Sequence, residues 1–133
     1  MNLEVGLKYT VEMVVEQKDT AAAFGSGNVL VLATPMMVTL MENAALKAVE
    51  QALPEGSTTV GTHLDVSHKA ATPLGMKARA EAELIEMKGK KLIFKVAAFD
   101  ECEMIGEGTH VRYIVSTDQF LENTNKKSKA IVK

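Results

Sequence analysis

The sequence holds a single cysteine among its 133 residues. No internal disulfide can form, and a reducing, cytoplasmic setting is the expectation. Cys102 stands between Glu101 and Glu103, and flanking carboxylates oppose thiolate formation, which argues against a cysteine nucleophile. No apolar run is long enough to cross a bilayer, and the opening MNLEVGLKYT lacks the basic segment and apolar stretch of a secretory leader. Excess charge is also scarce. Fifteen Lys and Arg against 17 Asp and Glu leave −2, which speaks against nucleic acid or an anionic membrane surface as a general partner. There is no glycine loop to cradle a phosphate and no Ser or Cys in a nucleophile elbow. His63 and His68 point to opposite faces of a straight strand, so no metal site is expected.

What the chain does have is one dominant helical stretch, Ala33 to Leu53 (ATPMMVTLMENAALKAVEQAL). Thr34 reads as its N-cap, Pro35 sits where a missing N–H costs nothing, and Pro54 with Gly56 stops it. At about 100° per residue, Met37, Val38, Met41, Ala44, Ala45, Leu46, Ala48, Val49, Ala52 and Leu53 make one broad apolar arc. Thr39, Asn43, Lys47, Glu50 and Gln51 fall opposite, with Met36 and Leu40 blurring that polar side. Glu42 projects from the apolar arc. A carboxylate there needs a partner, because burying it unpaired is costly.

Residues 7–16 alternate as a half-buried strand, with Leu7, Tyr9, Val11, Met13 and Val15 on one face. Residues 17–33 read as a loop with a flexible Phe24-Gly25-Ser26-Gly27 centre, a composition that suits a cover over a site. After the helix come four strand-like segments, 58–72, 76–87, 91–99 and 104–116, joined by turns such as Lys88-Gly89-Lys90. Short connections predict an antiparallel meander. The fold class is therefore α+β, an antiparallel five-stranded sheet wrapped around one long helix. Open sheet edges and a partly covered core predict a homodimer. Residues 1–118 form the domain, and the polar, basic stretch 119–133 reads as a frayed tail.

Three residues stand out by their surroundings. Glu42 is a lone carboxylate on an apolar arc, and His68 is the lone ionisable group beside Val60, Leu64 and Val66. Thr34 opens a helix whose N-terminal amides favour negative charge. An acid, a base and an anion-stabilising helix end are the parts needed for hydrolysis or addition–elimination at an activated carbonyl. A mutually satisfied structural Glu and His, with Thr34 a cap alone, is the competing reading. Gly106-Glu107-Gly108 indicates a bulge or a close backbone approach rather than a cofactor site.

The strings TPMMVTLMENAALKAV, VGTHLDVSHKAATPLGMKARAEAEL and IGEGTHVRYIV resemble the hotdog-fold thioesterases, in particular the fluoroacetyl-CoA thioesterase branch. The likeness spans about residues 5–118. Its most specific parts are Thr34 with Glu42 at the helix start, V-x-H-x-A-A-T-P-x-G at Val66–Gly75, and G-x-G-T-H-x-R at Gly106–Arg112. The resemblance implies a hotdog dimer with active sites at the subunit interface, hydrolysing acyl-CoA with no cofactor beyond the coenzyme A of the substrate. It places the catalytic trio on Thr34, Glu42 and His68. It also places Gly61 near the thioester carbonyl and Arg112 near the site. The loop before the helix is shorter than in the fluoroacetyl enzyme and carries Phe24 as its only aromatic residue, which points to a different small or medium acyl group. Hotdog proteins also include enoyl-CoA hydratases and dehydratases, and a non-catalytic acyl-CoA-binding module is a third reading.

Overall fold

In the computed structural model, which describes residues 2–131, the chain runs through nine short elements. They are β1 (Lys8–Val14), a 3-10 turn (Gln17–Asp19), α1 (Ala21–Phe24), α2 (Thr34–Glu50), β2 (Ser57–His68), β3 (Lys77–Lys88), β4 (Lys91–Asp100), β5 (Met104–Ser116) and α3 (Thr117–Lys129). No described helix is long and apolar enough to cross a membrane.

Helix α2 is the core. Met37, Leu40, Met41, Ala44, Ala45, Ala48 and Val49 are buried on it, including Leu40, which the helical wheel leaves near the polar side. The N-cap is Ala33, not Thr34. The Ala33 carbonyl accepts from the amides of Met36 and Met37, both at 3.0 Å, so Thr34 is the first helical residue and its hydroxyl is free for other work. Glu50 is the last helical residue, and residues 51–53 turn instead of continuing the helix.

The five strands form one antiparallel sheet in the order β1-β3-β4-β5-β2. Only β3, β4 and β5 make a meander. The expected four-strand meander fails at the β2–β3 step, because β2 lies beside β5 at the sheet edge. Residues 69–76 cross from one to the other. At ~3.3 Å per extended residue they easily span the roughly 14 Å of three strand spacings. The alternation expected in β3 and β4 holds. Ala78, Ala80, Ala82, Leu84, Leu92, Phe94, Val96 and Ala98 are all buried against the helix, and the alanines let sheet and helix approach closely. Tyr9 of β1, expected to face inward, is exposed.

Strand β2 is not straight. Gly61 pairs with Arg112 and His63 with Val111, so a bulge falls at Thr62. A bulge moves every later side chain to the other parity. The face of His68 therefore holds Thr59 and Gly61 before the bulge and Leu64 and Val66 after it, opposite Ile114, Arg112, His110, Gly108 and Gly106 of β5. Gly106 and Gly108 serve close approach. A Cβ on Gly106 would sit 2.6 Å from Met37 Sδ, and one on Gly108 would collide with the Asp65 carbonyl.

The stretch expected to fray is helical as far as Lys129. Asp118 lies in its first turn and Lys126, Lys127 and Lys129 in its last, each favourable to the helix dipole. The Gln119 amide donates to Asn123 Oδ1 at 3.2 Å one turn on. No residue of α3 is buried.

Candidate active site

The first part of the site lies where α2 begins. The chain reaches it through a tied-down segment rather than an open loop. Thr20 bridges to Leu32, Val31 bridges to Pro73, and the Ala33 amide donates to the Asp19 carbonyl at 2.9 Å. That places Thr34 beside the end of β2, with its Oγ1 2.6 Å from His68 Nδ1. The pair opens on a cleft of about 270 Å³ whose walls include Ala21, Ser26, Val31 and Ala70. The other ring nitrogen, Nε2, is buried and has no hydrogen-bond partner. Burial lowers the His68 pKa below the ordinary 6.5, with the backbone at Ala70 partly offsetting it. A neutral imidazole against a hydroxyl is a proton acceptor in place. Amides at the helix start are scarcer than expected. Pro35 has none, and those of Met36 and Met37 bond Ala33. The Thr34 amide is the first-turn donor left over.

The second part lies further along α2 and β2. Glu42 is half-buried, and among the described residues no hydrogen bond or ion pair holds its carboxylate. It faces Gly61. A Cβ built on Gly61 would meet His110 Cε1 at 3.0 Å, Glu42 Oε2 at 3.2 Å and Arg112 Nη1 at 3.4 Å. The missing side chain thus leaves a small space walled by a carboxylate, a guanidinium and an imidazole. Arg112 is buried, with Nε donating to Thr59 Oγ1 at 2.8 Å and Nη2 to the Thr59 carbonyl at 2.8 Å. Burial lowers its pKa and the Glu42 charge counters this; arginine nonetheless stays cationic.

The sequence candidates therefore fall into two groups. Thr34 and His68 touch. Glu42, Gly61 and Arg112 converge elsewhere. Eight helical residues separate Thr34 from Glu42, roughly 12 Å along the axis, and the stretch of β2 from Gly61 to His68 is roughly 20 Å. Phe24 does not line the cleft. It sits at the end of α1, 46% exposed, while Ala21 of the same short helix does line it. Sequence reasoning missed His110 and Thr59. The signal was present in β5, where Gly106, Gly108, His110 and Arg112 alternate on one face, two of them ionisable. Among the described residues no group of His, Cys, Asp or Glu is arranged to hold a metal ion.

A family model described as fluoroacetyl-CoA-specific thioesterase (FlK) matches residues 15–118. The chain belongs to the fluoroacetyl-CoA-specific thioesterase family. The fluoroacetyl-CoA thioesterase of Streptantibioticus cattleyicolor is 38% identical over 100 residues, 75% of this chain and 72% of that protein. A solved structure of FlK superposes with a TM-score of 0.89 at 32% identity, covering 96% of this chain and 98% of the other. A thioesterase superfamily member from Thermus thermophilus gives 0.85 at 26% identity, with 96% and 97% covered. This member of the FlK family thus has the hotdog fold and is an acyl-CoA thioesterase.

Proposed function

We propose that this chain hydrolyses a small or medium acyl-CoA to the free acid and CoA, using Thr34, His68 and Glu42 as catalytic groups. The observation that carries the reading is the 2.6 Å contact of Thr34 Oγ1 with His68 Nδ1 at the mouth of an open cleft. His68 accepts a proton through Thr34 and returns it to the departing thiolate. The Thr34 amide is the donor available to the oxyanion. The acyl carbonyl lies near Gly61, with Arg112 behind it, and Phe24 acts from the short helix whose Ala21 lines the cleft. Coenzyme A enters as substrate, and no separate cofactor or metal takes part. The catalytic unit is residues 1–118, and we place the protein in the cytoplasm.

The two halves of the site come together in a homodimer. Residues 61–65 of the edge strand β2 are exposed on both faces, which fits strand pairing between two copies. Antiparallel pairing centred between Leu64 and Asp65 would set Gly61, and with it Glu42, opposite His68 of the second copy. Such a pairing would bring the two groups of residues together.

Two routes use these groups. The unpaired Glu42 carboxylate favours direct attack on the thioester, expelling CoA as its thiolate and giving a mixed anhydride; water then cleaves the anhydride, and the proton it loses passes through His68 to the thiolate. The Thr34–His68 contact favours attack by the hydroxyl or by a water it holds. A single turnover in ¹⁸O-water, followed by peptide mass analysis, separates them. Label in Glu42 marks the anhydride, and trapped acyl on Thr34 marks the hydroxyl route.

The reading is tested with a panel of acyl-CoAs and a thiol-detecting reagent. CoA release that vanishes in His68→Ala is the expected result. Reversible hydration of an enoyl-CoA, or saturable binding without release, replaces it with a hydratase or a binding module.

A further inference from the structure

His110 belongs to none of the roles above, yet it lies at the centre of the second half of the site. It is fully buried on β5 with its ring near Phe94, centroids 6.5 Å apart. Both ring nitrogens are engaged. Nδ1 lies 2.9 Å from the His63 carbonyl, and Nε2 lies 3.1 Å from Arg112 Nη1.

The partners decide the protonation state. A carbonyl only accepts, so Nδ1 carries the proton. A guanidinium only donates, so Nε2 is bare. His110 is thus a neutral imidazole in one tautomer, and burial together with the Arg112 charge keeps it so; the His63 carbonyl and the Glu42 charge pull the other way. The consequence falls on Arg112. Its five N–H groups form a planar fork. Thr59 takes one from Nε and one from Nη2, and His110 takes one from Nη1. These three anchors fix the plane and rotation of the guanidinium. The remaining proton on Nη1 stays free, and that atom lies 3.4 Å from where a Gly61 Cβ would be. The His63 carbonyl that holds the ring lies directly after the bulge at Thr62.

We propose that His110 is a positioning residue: it holds Arg112 so that one guanidinium N–H faces the space in front of Gly61, where the acyl group binds. The inference rests on the reading of Gly61 and Glu42 as walls of the acyl site. Loss of its bond to Arg112 would leave the guanidinium held by Thr59 alone, with Nη1 drawn toward the Glu42 carboxylate and both groups turned away from the acyl space.

Two replacements divide the functions of the ring. In His110→Asn the amide nitrogen can still donate to the His63 carbonyl, but nothing accepts from Arg112. In His110→Gln the amide oxygen takes the place of Nε2. The expected result is a loss of about ten- to a hundred-fold in kcat/KM for Asn, the scale of one charged hydrogen bond, with Gln retaining most of the activity. In an Arg112→Lys background, His110→Asn should cost nothing further. Equal losses in Asn and Gln, or the same Asn loss in both backgrounds, would overturn the proposal. The unmodified protein provides a check that needs no variant, because the ¹⁵N spectrum of its histidines reports the tautomer. A protonated Nδ1 with a bare Nε2 on His110 supports the proposal, and the reverse refutes it even in an active enzyme. A protein with this tautomer that hydrolyses no acyl-CoA refutes the hydrolase reading instead.

Discussion

Gly61→Ala separates packing from chemistry. The backbone at Gly61 is not in the left-handed region, so alanine meets no conformational barrier there, and in a strand it is favoured over glycine by roughly 0.5–1 kcal/mol. Against this stands the new methyl, 3.0 Å from His110 Cε1, 3.2 Å from Glu42 Oε2 and 3.4 Å from Arg112 Nη1. Glu42 can swing away. His110 and Arg112 are bonded on several sides and cannot move without losing partners. Overpacking of this kind costs about 1–3 kcal/mol, so the net destabilisation is no more than about 2.5 kcal/mol. In a domain of this size Tm then falls by less than about 10 °C. The catalytic effect is larger, because the methyl fills the space assigned to the acyl carbonyl and its stabilising donors. A loss of about a hundred-fold in kcat/KM, close to 2.7 kcal/mol, is expected. Calorimetry and steady-state CoA release on the same preparation measure both. A folded variant whose kcat/KM stays within about threefold of the parent would show that the acyl group does not lie in front of Gly61.

Thr34→Ala should lower hydrolysis by a hundred-fold or more while changing stability by less than about 0.5 kcal/mol. Thr34 is exposed and caps nothing, whereas loss of a true N-cap would cost about 1 kcal/mol; denaturant melts distinguish the two. Hydrolysis should fall at acid pH with a midpoint below 6.5, because burial lowers the His68 pKa and the base works only when neutral. Stability follows the same sign. His68 and His110 bind protons less readily folded than unfolded, so their contribution is complete above about 6.5 and is lost as the pH falls below it. Melts between pH 5 and 8, the usual range of histidine control, should show this slope. Phe24→Ala should leave Tm nearly unchanged, since the ring is 46% exposed, but should alter the ratio of kcat/KM between short and longer acyl-CoAs.

The parts of the site that were legible in the sequence are those where residue type conflicts with pattern. Glu42 interrupts an apolar arc, and His68 is ionisable beside Leu64 and Val66; both are half-buried. The missed features have specific physical origins. Thr34 has the chemistry of a cap, but the cap position is fixed by backbone angles, and Ala33 takes it. The bulge at Thr62 leaves no mark in composition, yet it puts Gly61 and Thr59 on the face of His68. Straight alternation therefore grouped His68 with Val60 and left Gly61 out. Arg112 and Gly61 came from family likeness, not from periodicity. Strand order was hidden because residues 69–76 suit either a hairpin or a crossover, and only ladder partners decide. α3 was hidden by its lack of an apolar face, since nothing in it is buried and its support comes from charges at its two ends.

In the proposed dimer the site is shared, with Glu42 of one subunit serving the Thr34–His68 pair of the other. The direct measurement is subunit complementation. Glu42→Ala and His68→Ala proteins, each inactive alone, are mixed in equal amounts, dissociated and reassembled. Half of the dimers are then mixed, and each holds one intact site of two, so about a quarter of parental CoA release should return. Activity that stays at the level of the separate variants, in mixed dimers confirmed by mass, would place all the catalytic groups within one chain and contradict the account.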